Sequence, residues 1–229
     1  MSNSDPRDSD QYSSPPCYMH ELDPAYFGLS PQTAGADVAR WRRAERNRLI
    51  AQRLALPSAA RADCARKIAE RLDVLIGDPA GRIVSAYWPI RGEPDLRLWL
   101  DELHRRGAQT ALPVVVAKAA PLVFQLWRRG DSLARGVWNI PVPAKGKEVR
   151  PDIALAPLVG YDAGCYRLGY GGGFFDRTLA QLPASTIAIG VGYADAEIAT
   201  IYPQPFDIAM RHNVTEGGVR TRSFSPAPA

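Results

Sequence analysis

The sequence predicts an α/β fold, an open, mostly parallel sheet with helices on both faces, on three observations. Asp152 to Val159 and Thr186 to Gly192 are short, continuously apolar runs that suit strands buried on both faces. Segments with helical spacing of apolar residues alternate with such runs. The chain has 229 residues, 46% of them hydrophobic, enough for one sizeable core.

Met1 to about Gly35 is rich in Ser, Pro, Asp and Tyr and has no helical or strand period, so 1–35 reads as a disordered or surface-docked extension, with the folded domain at 36–229. Cys17 and His20 lie in it, two candidate ligands that do not complete a zinc site. Val38 to Leu54, Arg-rich and free of Gly and Pro, predicts a helix; Leu56-Pro57-Ser58 breaks it, and Ala59 to Ile76 predicts a second. Arg82 to Trp88 reads as a buried strand, Asp95 to Arg106 as an amphipathic helix stopped by Gly107, and Gln109 to Val116 as the next strand, which makes a βαβ unit. Pro121 to Trp127 adds an alternating strand, and a helix from Asp176 to Gln181 lies between the last two apolar runs. Three layers in a Rossmann-like order follow.

Charged residues make up 23% of the chain and the formal net charge is +4, with no block of like charge. That pattern speaks against a nucleic-acid partner and suits small anionic molecules. Three cysteines, odd in number and far apart, point to a reducing compartment, here the cytoplasm. The longest apolar stretch, Ala111 to Ala117, contains Pro113, so no membrane span is expected. A monomer is expected.

The segment richest in chemistry is Asp162-Ala-Gly-Cys-Tyr-Arg-Leu-Gly-Tyr-Gly-Gly-Gly-Phe-Phe-Asp-Arg177, between a predicted strand and a predicted helix. Gly169, Gly171, Gly172 and Gly173 lack the β-carbons that would hold a ligand away from the backbone, and such a loop cradles phosphates. It is not a Walker loop, because no Gly-Lys-Ser/Thr follows, nor a dinucleotide fingerprint, because Phe174 stands where the last glycine belongs. Asp176 beside a polyphosphate implies a bridging divalent cation, with first-turn helix stabilisation as the alternative role.

Arg167-Leu-Gly-Tyr-Gly-Gly-Gly-Phe-Phe-Asp-Arg177 resembles the hallmark of the 5-formyltetrahydrofolate cyclo-ligase family. Similar segments follow in family order: Tyr87-Trp-Pro-Ile-Arg-Gly-Glu-Pro-Asp95, Ala111-Leu-Pro113, Leu122 to Trp127, Trp138-Asn-Ile-Pro-Val-Pro143 and Phe206-Asp-Ile-Ala-Met210. The resemblance covers roughly Val38 to Glu216 and implies a soluble enzyme that uses MgATP to close 5-formyltetrahydrofolate to 5,10-methenyltetrahydrofolate. It implies that Arg42 and Arg46, which share a helix face, hold ATP phosphates together with Arg167, Leu168, Gly169, Tyr170, Gly171, Gly172, Gly173, Phe174 and Phe175. It implies catalytic roles for Arg167 and Asp176, a folate site at Glu93, Trp138 and Tyr170, and a Mg2+ site at Asp176 and Asp207. Arg40, Arg43 and Arg48 leave the register of the phosphate-facing arginines open, and composition alone favours an exposed loop acid at Glu93.

The sequence departs from the family pattern in three places. Phe174 and Phe175 replace at least one tyrosine, Cys165 replaces a glycine whose turn Gly164 is expected to absorb, and Arg211 replaces an acid. These departures keep open a second class, a nucleotide- or folate-binding paralogue that does not catalyse, although the charged set Arg42, Arg46, Glu93, Asp176 and Asp207 speaks against it.

Overall fold

The computed structural model describes residues 31–223, so Cys17 and His20 lie outside the described residues. The chain divides between Arg40 and Trp41 into two compact units; of the first, only 31–40 is described, all of it helix.

Helix α1 spans Pro31–Ala55, beginning well before Val38, and α2 spans Ser58–Ile76. The break between them falls at Leu56 and Pro57, because a proline cannot donate to the preceding helical turn. Then come β1 (Ile83–Ser85), α3 (Arg97–Arg105), β2 (Gln109–Val115), β3 (Leu122–Leu126), the hairpin β4 (Leu133–Arg135) and β5 (Pro141–Pro143), β6 (Glu148–Val149) and β7 (Ile153–Pro157). A second hairpin, β8 (Gly160–Tyr161) and β9 (Arg167–Leu168), precedes α4 (Phe174–Leu179), β10 (Ile187–Val191), β11 (His212–Thr215) and β12 (Gly218–Thr221).

Eight of these strands form one sheet in the order β12-β11-β10-β7-β1-β2-β3-β6. Its centre, from β11 to β2, is parallel, while on the edges β12 pairs antiparallel with β11, β3 with β2 and β6 with β3. β1 is shorter than the apolar run that predicts it: after Ser85 only Ala86 still bonds to β2, and the chain turns out of the sheet toward Pro89. α3 starts two residues later than expected, since the Asp95 carboxylate takes the Arg97 N–H at 3.1 Å from outside the helix.

Alternation along the strands assigns the two faces. Ile153 and Leu155 of β7, Ile189 and Val191 of β10 and Val84 of β1 pack with Ile68 and Leu72 of α2 and Leu100 and Leu103 of α3. Their partners in alternation, Ala156 and Ala188, are small and face Phe175 and Leu179 of α4 together with Cys165 and Met210. The opposite face is thus covered by a six-residue helix and its flanking loops, and α-carbon-deep packing there needs alanines. Leu49 of α1 joins a third cluster with Leu158, Tyr161, Leu168 and Ile201, all just beyond the carboxyl ends of the parallel strands. Each fully buried leucine or isoleucine contributes about 1.5–3 kcal/mol.

The chain leaves β1 toward β2 on one side and returns to β7 on the other, so the strand order reverses between β1 and β7. In an open parallel sheet the loops diverge at such a point and leave a crevice at the strands' carboxyl ends. No helix among the described residues is long and apolar enough to cross a membrane.

Candidate functional site

Helix α1 supplies the basic wall of the crevice. At 100° per residue, Arg42, Arg46, Leu49 and Arg53 fall on one narrow stripe. That stripe points inward: Arg42, Leu49 and Arg53 are buried and Arg46 is partly so, while Arg43 and Arg48 are exposed. Arg42 and Arg46 thus face inward, whereas Arg48 pairs with Glu45 on the outer face.

Arg42 reaches across to the loop after β10. Its Nε donates to the Ile201 carbonyl at 2.9 Å, and Nη2 donates to the Tyr202 carbonyl at 2.8 Å and to Asp207 Oδ2 at 2.5 Å. Nη1 adds a bond to Asp207 Oδ1 at 3.3 Å, and Oδ2 also accepts the Gln204 N–H at 2.6 Å. Both Asp207 oxygens are thus held by donors. Arg46 donates from Nε to the Gly169 carbonyl at 2.7 Å, which carries the helix into the glycine loop. Burial, and then the neighbouring charge of Arg42, pull the Arg46 guanidinium below its ordinary pKa, with Asp207 working against them.

The loop is built for close approach. Gly171 has φ +92°, a left-handed backbone closed to most side chains, and a β-carbon there would stand 3.3 Å from Arg46 Cζ. Gly173, also left-handed, leads directly into α4. The expected absorption of the upstream turn by Gly164 does not occur. Cys165 itself takes φ +62°, held by its N–H to the Asp162 carbonyl at 3.0 Å while the Asp162 side chain takes the N–H groups of Gly164 and Tyr166. An L-residue is strained in that conformation, which is the physical reason a glycine suits the position.

Arg167 is 6% exposed and lies 3.1 Å from Asp176 Oδ1, with its guanidinium over the Phe175 ring. The Nη2 contact is an ion pair without hydrogen-bond alignment, and neither Nε nor Nη2 has a hydrogen-bond partner among the described residues. Burial draws the Arg167 pKa down and Asp176 draws it back up. Spare donors on a buried cation mark a place where an anion would be welcome. Asp176 Oδ1 also accepts the Ile208 N–H at 3.2 Å, and its Oδ2 takes no hydrogen bond among the described residues.

A second cluster lies at the switch point. Glu93, in the loop after β1, is 5% exposed, contrary to the exposed acid that composition favours. Its Oε2 accepts the Ile90 N–H at 2.8 Å and its Oε1 accepts the Tyr170 hydroxyl at 2.7 Å. Burial raises the Glu93 pKa, and the bonds from Ile90 and Tyr170 and the charge of Arg53 oppose the rise. Arg53 was not among the expected site residues, yet its Nη2 donates to the Tyr170 hydroxyl at 2.7 Å, Nε to the Arg91 carbonyl at 2.9 Å and Nη1 to the Leu158 carbonyl at 3.3 Å. The signal that identifies it is helical phase: it falls on the Arg42–Arg46 stripe.

Trp138 sits at the tip of the β4–β5 hairpin with φ +54°, followed by Asn139 at φ +59°. It is 67% exposed and meets Phe174 edge-on, ring centroids 5.5 Å apart, so the structure brings it to the glycine loop rather than to Glu93. Leu168 contributes a side chain wholly committed to the core and a carbonyl taken by the Val159 N–H at 2.9 Å. Among the described residues no three His, Cys, Asp or Glu side chains gather as a metal site.

The arginine stripe of α1 and the glycine loop thus meet at the switch point of a parallel sheet, the place where α/β proteins of this kind take their ligands. The model of the 5-formyltetrahydrofolate cyclo-ligase family matches residues 38–216. The 5-formyltetrahydrofolate cyclo-ligase of Mycolicibacterium smegmatis is 34% identical over 178 residues, covering 74% of this chain and 91% of that protein. The enzyme of the same name from Escherichia coli K12 is 31% identical over 144 residues, 59% of this chain and 79% of that protein. The NMR structure of Aquifex aeolicus 5,10-methenyltetrahydrofolate synthetase superposes with a TM-score of 0.70 at 24% identity, covering 82% of this chain and 96% of that one. The chain belongs to the 5-formyltetrahydrofolate cyclo-ligase family.

Proposed function

We propose that this chain uses ATP to cyclise 5-formyltetrahydrofolate to 5,10-methenyltetrahydrofolate, releasing ADP and phosphate. The observation that carries the reading is the joining of two clusters by one loop: Gly169 accepts from Arg46 on the basic side, and Tyr170 donates to Glu93 at the switch point. A phosphoryl donor and its acceptor would then be held side by side.

Arg42, Arg46 and Arg167 bind the triphosphate against the glycine loop, and the spare Arg167 donors meet charge on the transferring group. Asp176, with one oxygen outside any hydrogen bond among the described residues, fits a hard divalent cation such as Mg2+, which would neutralise phosphate charge when bound. Asp207 does not fit that role in the same way, since its oxygens are held by Arg42 and Gln204; it fixes the arginine. The Glu93 carboxylate accepts the pterin's amino and ring N–H groups, and Trp138 covers the mouth of the crevice.

In the reaction, the N5-formyl oxygen attacks the γ-phosphorus and the bond to the ADP oxygen breaks. N10 then attacks the formyl carbon, loses its proton, and phosphate departs with the former formyl oxygen. The chain's residues hold these atoms in line and exclude water. The free thiols of Cys64 and Cys165 suit a reducing cytoplasm.

Growth of the methenyl near-ultraviolet band from 5-formyltetrahydrofolate tests this reading. Product that requires ATP and a divalent cation, and that is lost in Asp176→Ala, is the expected result. A folded protein that binds nucleotide without forming product overturns it in favour of a binding paralogue.

A further inference from the structure

Arg53 is buried beneath the switch point, although burying a guanidinium is costly unless its donors are used. All three of its nitrogens are used, each on a different segment: the loop after β1 through the Arg91 carbonyl, the end of β7 through the Leu158 carbonyl, and the glycine loop through the Tyr170 hydroxyl. The third bond has a direction. Arginine has donors only, so the Tyr170 oxygen must accept from it, and the single hydroxyl proton is then free to point elsewhere. It points to Glu93 Oε1, 2.7 Å away.

We infer that Arg53 is a positioning residue for the folate side of the reaction: by donating to Tyr170 it aims that hydroxyl at Glu93 and holds the carboxylate in place to receive the pterin. The inference rests on the folate reading of Glu93 given above. Arg53 lies on the same helical stripe as the phosphate-facing arginines but serves the other substrate, so α1 organises both halves of the crevice.

Several groups face Glu93 and bear on its titration. Tyr170 and Arg53 approach from the glycine loop and α1, Tyr87 lies in its own loop with its hydroxyl on the Pro94 carbonyl, and Tyr193 closes from after β10 on the Gly92 carbonyl. Arg91 stands over the Tyr170 ring. Burial raises the Glu93 pKa, while Arg53 and Tyr170 both lower it. The carboxylate form is lost as pH falls through that raised value; deleting Arg53 raises it further, so the acid limb of folate binding moves to higher pH.

The test compares wild type, Arg53→Gln, Arg53→Lys and Tyr170→Phe in the full chain. Circular dichroism checks folding, titrations of 5-formyltetrahydrofolate and of ATP are followed separately across the acid range, and turnover gives KM for each substrate. Arg53→Gln is expected to weaken folate binding by about tenfold, the effect of one charge-assisted hydrogen bond, and to leave ATP affinity within about twofold. Its acid limb should shift upward. Arg53→Lys keeps the charge but not the three-way fork, so the limb should return toward wild type while folate affinity recovers only in part. Should Arg53→Gln fail to fold, Tyr170→Phe removes the relay hydroxyl and should reproduce the upward shift. Equal losses for both substrates, or an unmoved acid limb in the folded variants, would overturn the positioning role. Wild-type protein that binds folate without turning it over contradicts the proposed reaction alone, since the titrations still decide the role of Arg53. Wild-type protein that does not bind folate overturns both.

Discussion

Replacing Asp207 by alanine separates a charge that holds the crevice together from one that only awaits a ligand. In the structure its carboxylate takes two bonds from Arg42 and one from the Gln204 N–H, with both charged side chains about nine-tenths hidden from solvent. Breaking a buried pair from one side costs about 3–5 kcal/mol, because the remaining charge is stranded. Arg42 keeps its bonds to the carbonyls of Ile201 and Tyr202, which places the expected loss at the lower end, about 3 kcal/mol. In a domain of this size each kcal/mol moves Tm by about 2–4 °C, so a fall of about 6–12 °C is expected without nucleotide or metal. Thermal melts followed by circular dichroism on wild type, Asp207→Ala, Arg42→Met and the double variant measure it. The double variant should lose less than the two single losses added, since it strands no charge. A Tm within about 2 °C of wild type for Asp207→Ala, or strict additivity in the double variant, would refute the reasoning and leave Asp207 as a ligand only.

Two further outcomes follow from the walls of the crevice. Gly171→Ala forces an L-residue into the left-handed region, at about 1–2 kcal/mol, and pushes against Arg46; KM for ATP should rise several-fold with folate affinity little changed, and equal effects on both would place the loop elsewhere. Trp138→Ala removes a side chain that is mostly exposed, so stability should stay within about 0.5 kcal/mol while turnover falls, and an unfolded or fully active variant would contradict its place at the mouth.

The central sheet was legible because its parallel strands are buried on both faces and so read as unbroken apolar runs. β4, β5, β6, β8, β9, β11 and β12 were not, since strands of two to four residues leave no period to detect and exist only through their partners. In the candidate site, the glycine loop and its acid announced themselves by composition. Arg53 did not, because an arginine-rich helix looks alike on all sides until tertiary contacts choose a face, and its three acceptors lie on distant segments. Cys165 was misjudged for a related reason: sequence names the glycine able to turn, whereas the hydrogen bonds of Asp162 decide which residue must.

Helix α1 is the first described element of the chain, yet its contacts are completed late. Its arginines find their partners 165, 123 and 117 residues further along the chain, so during synthesis they wait until nearly the whole domain has emerged. A chain stopped before residue 207 leaves Arg42 without its carboxylate, and one stopped before residue 169 leaves Arg46 and Arg53 without the loop. A truncated chain therefore lacks part of the arginine network of α1, and the network closes only once residue 207 is present.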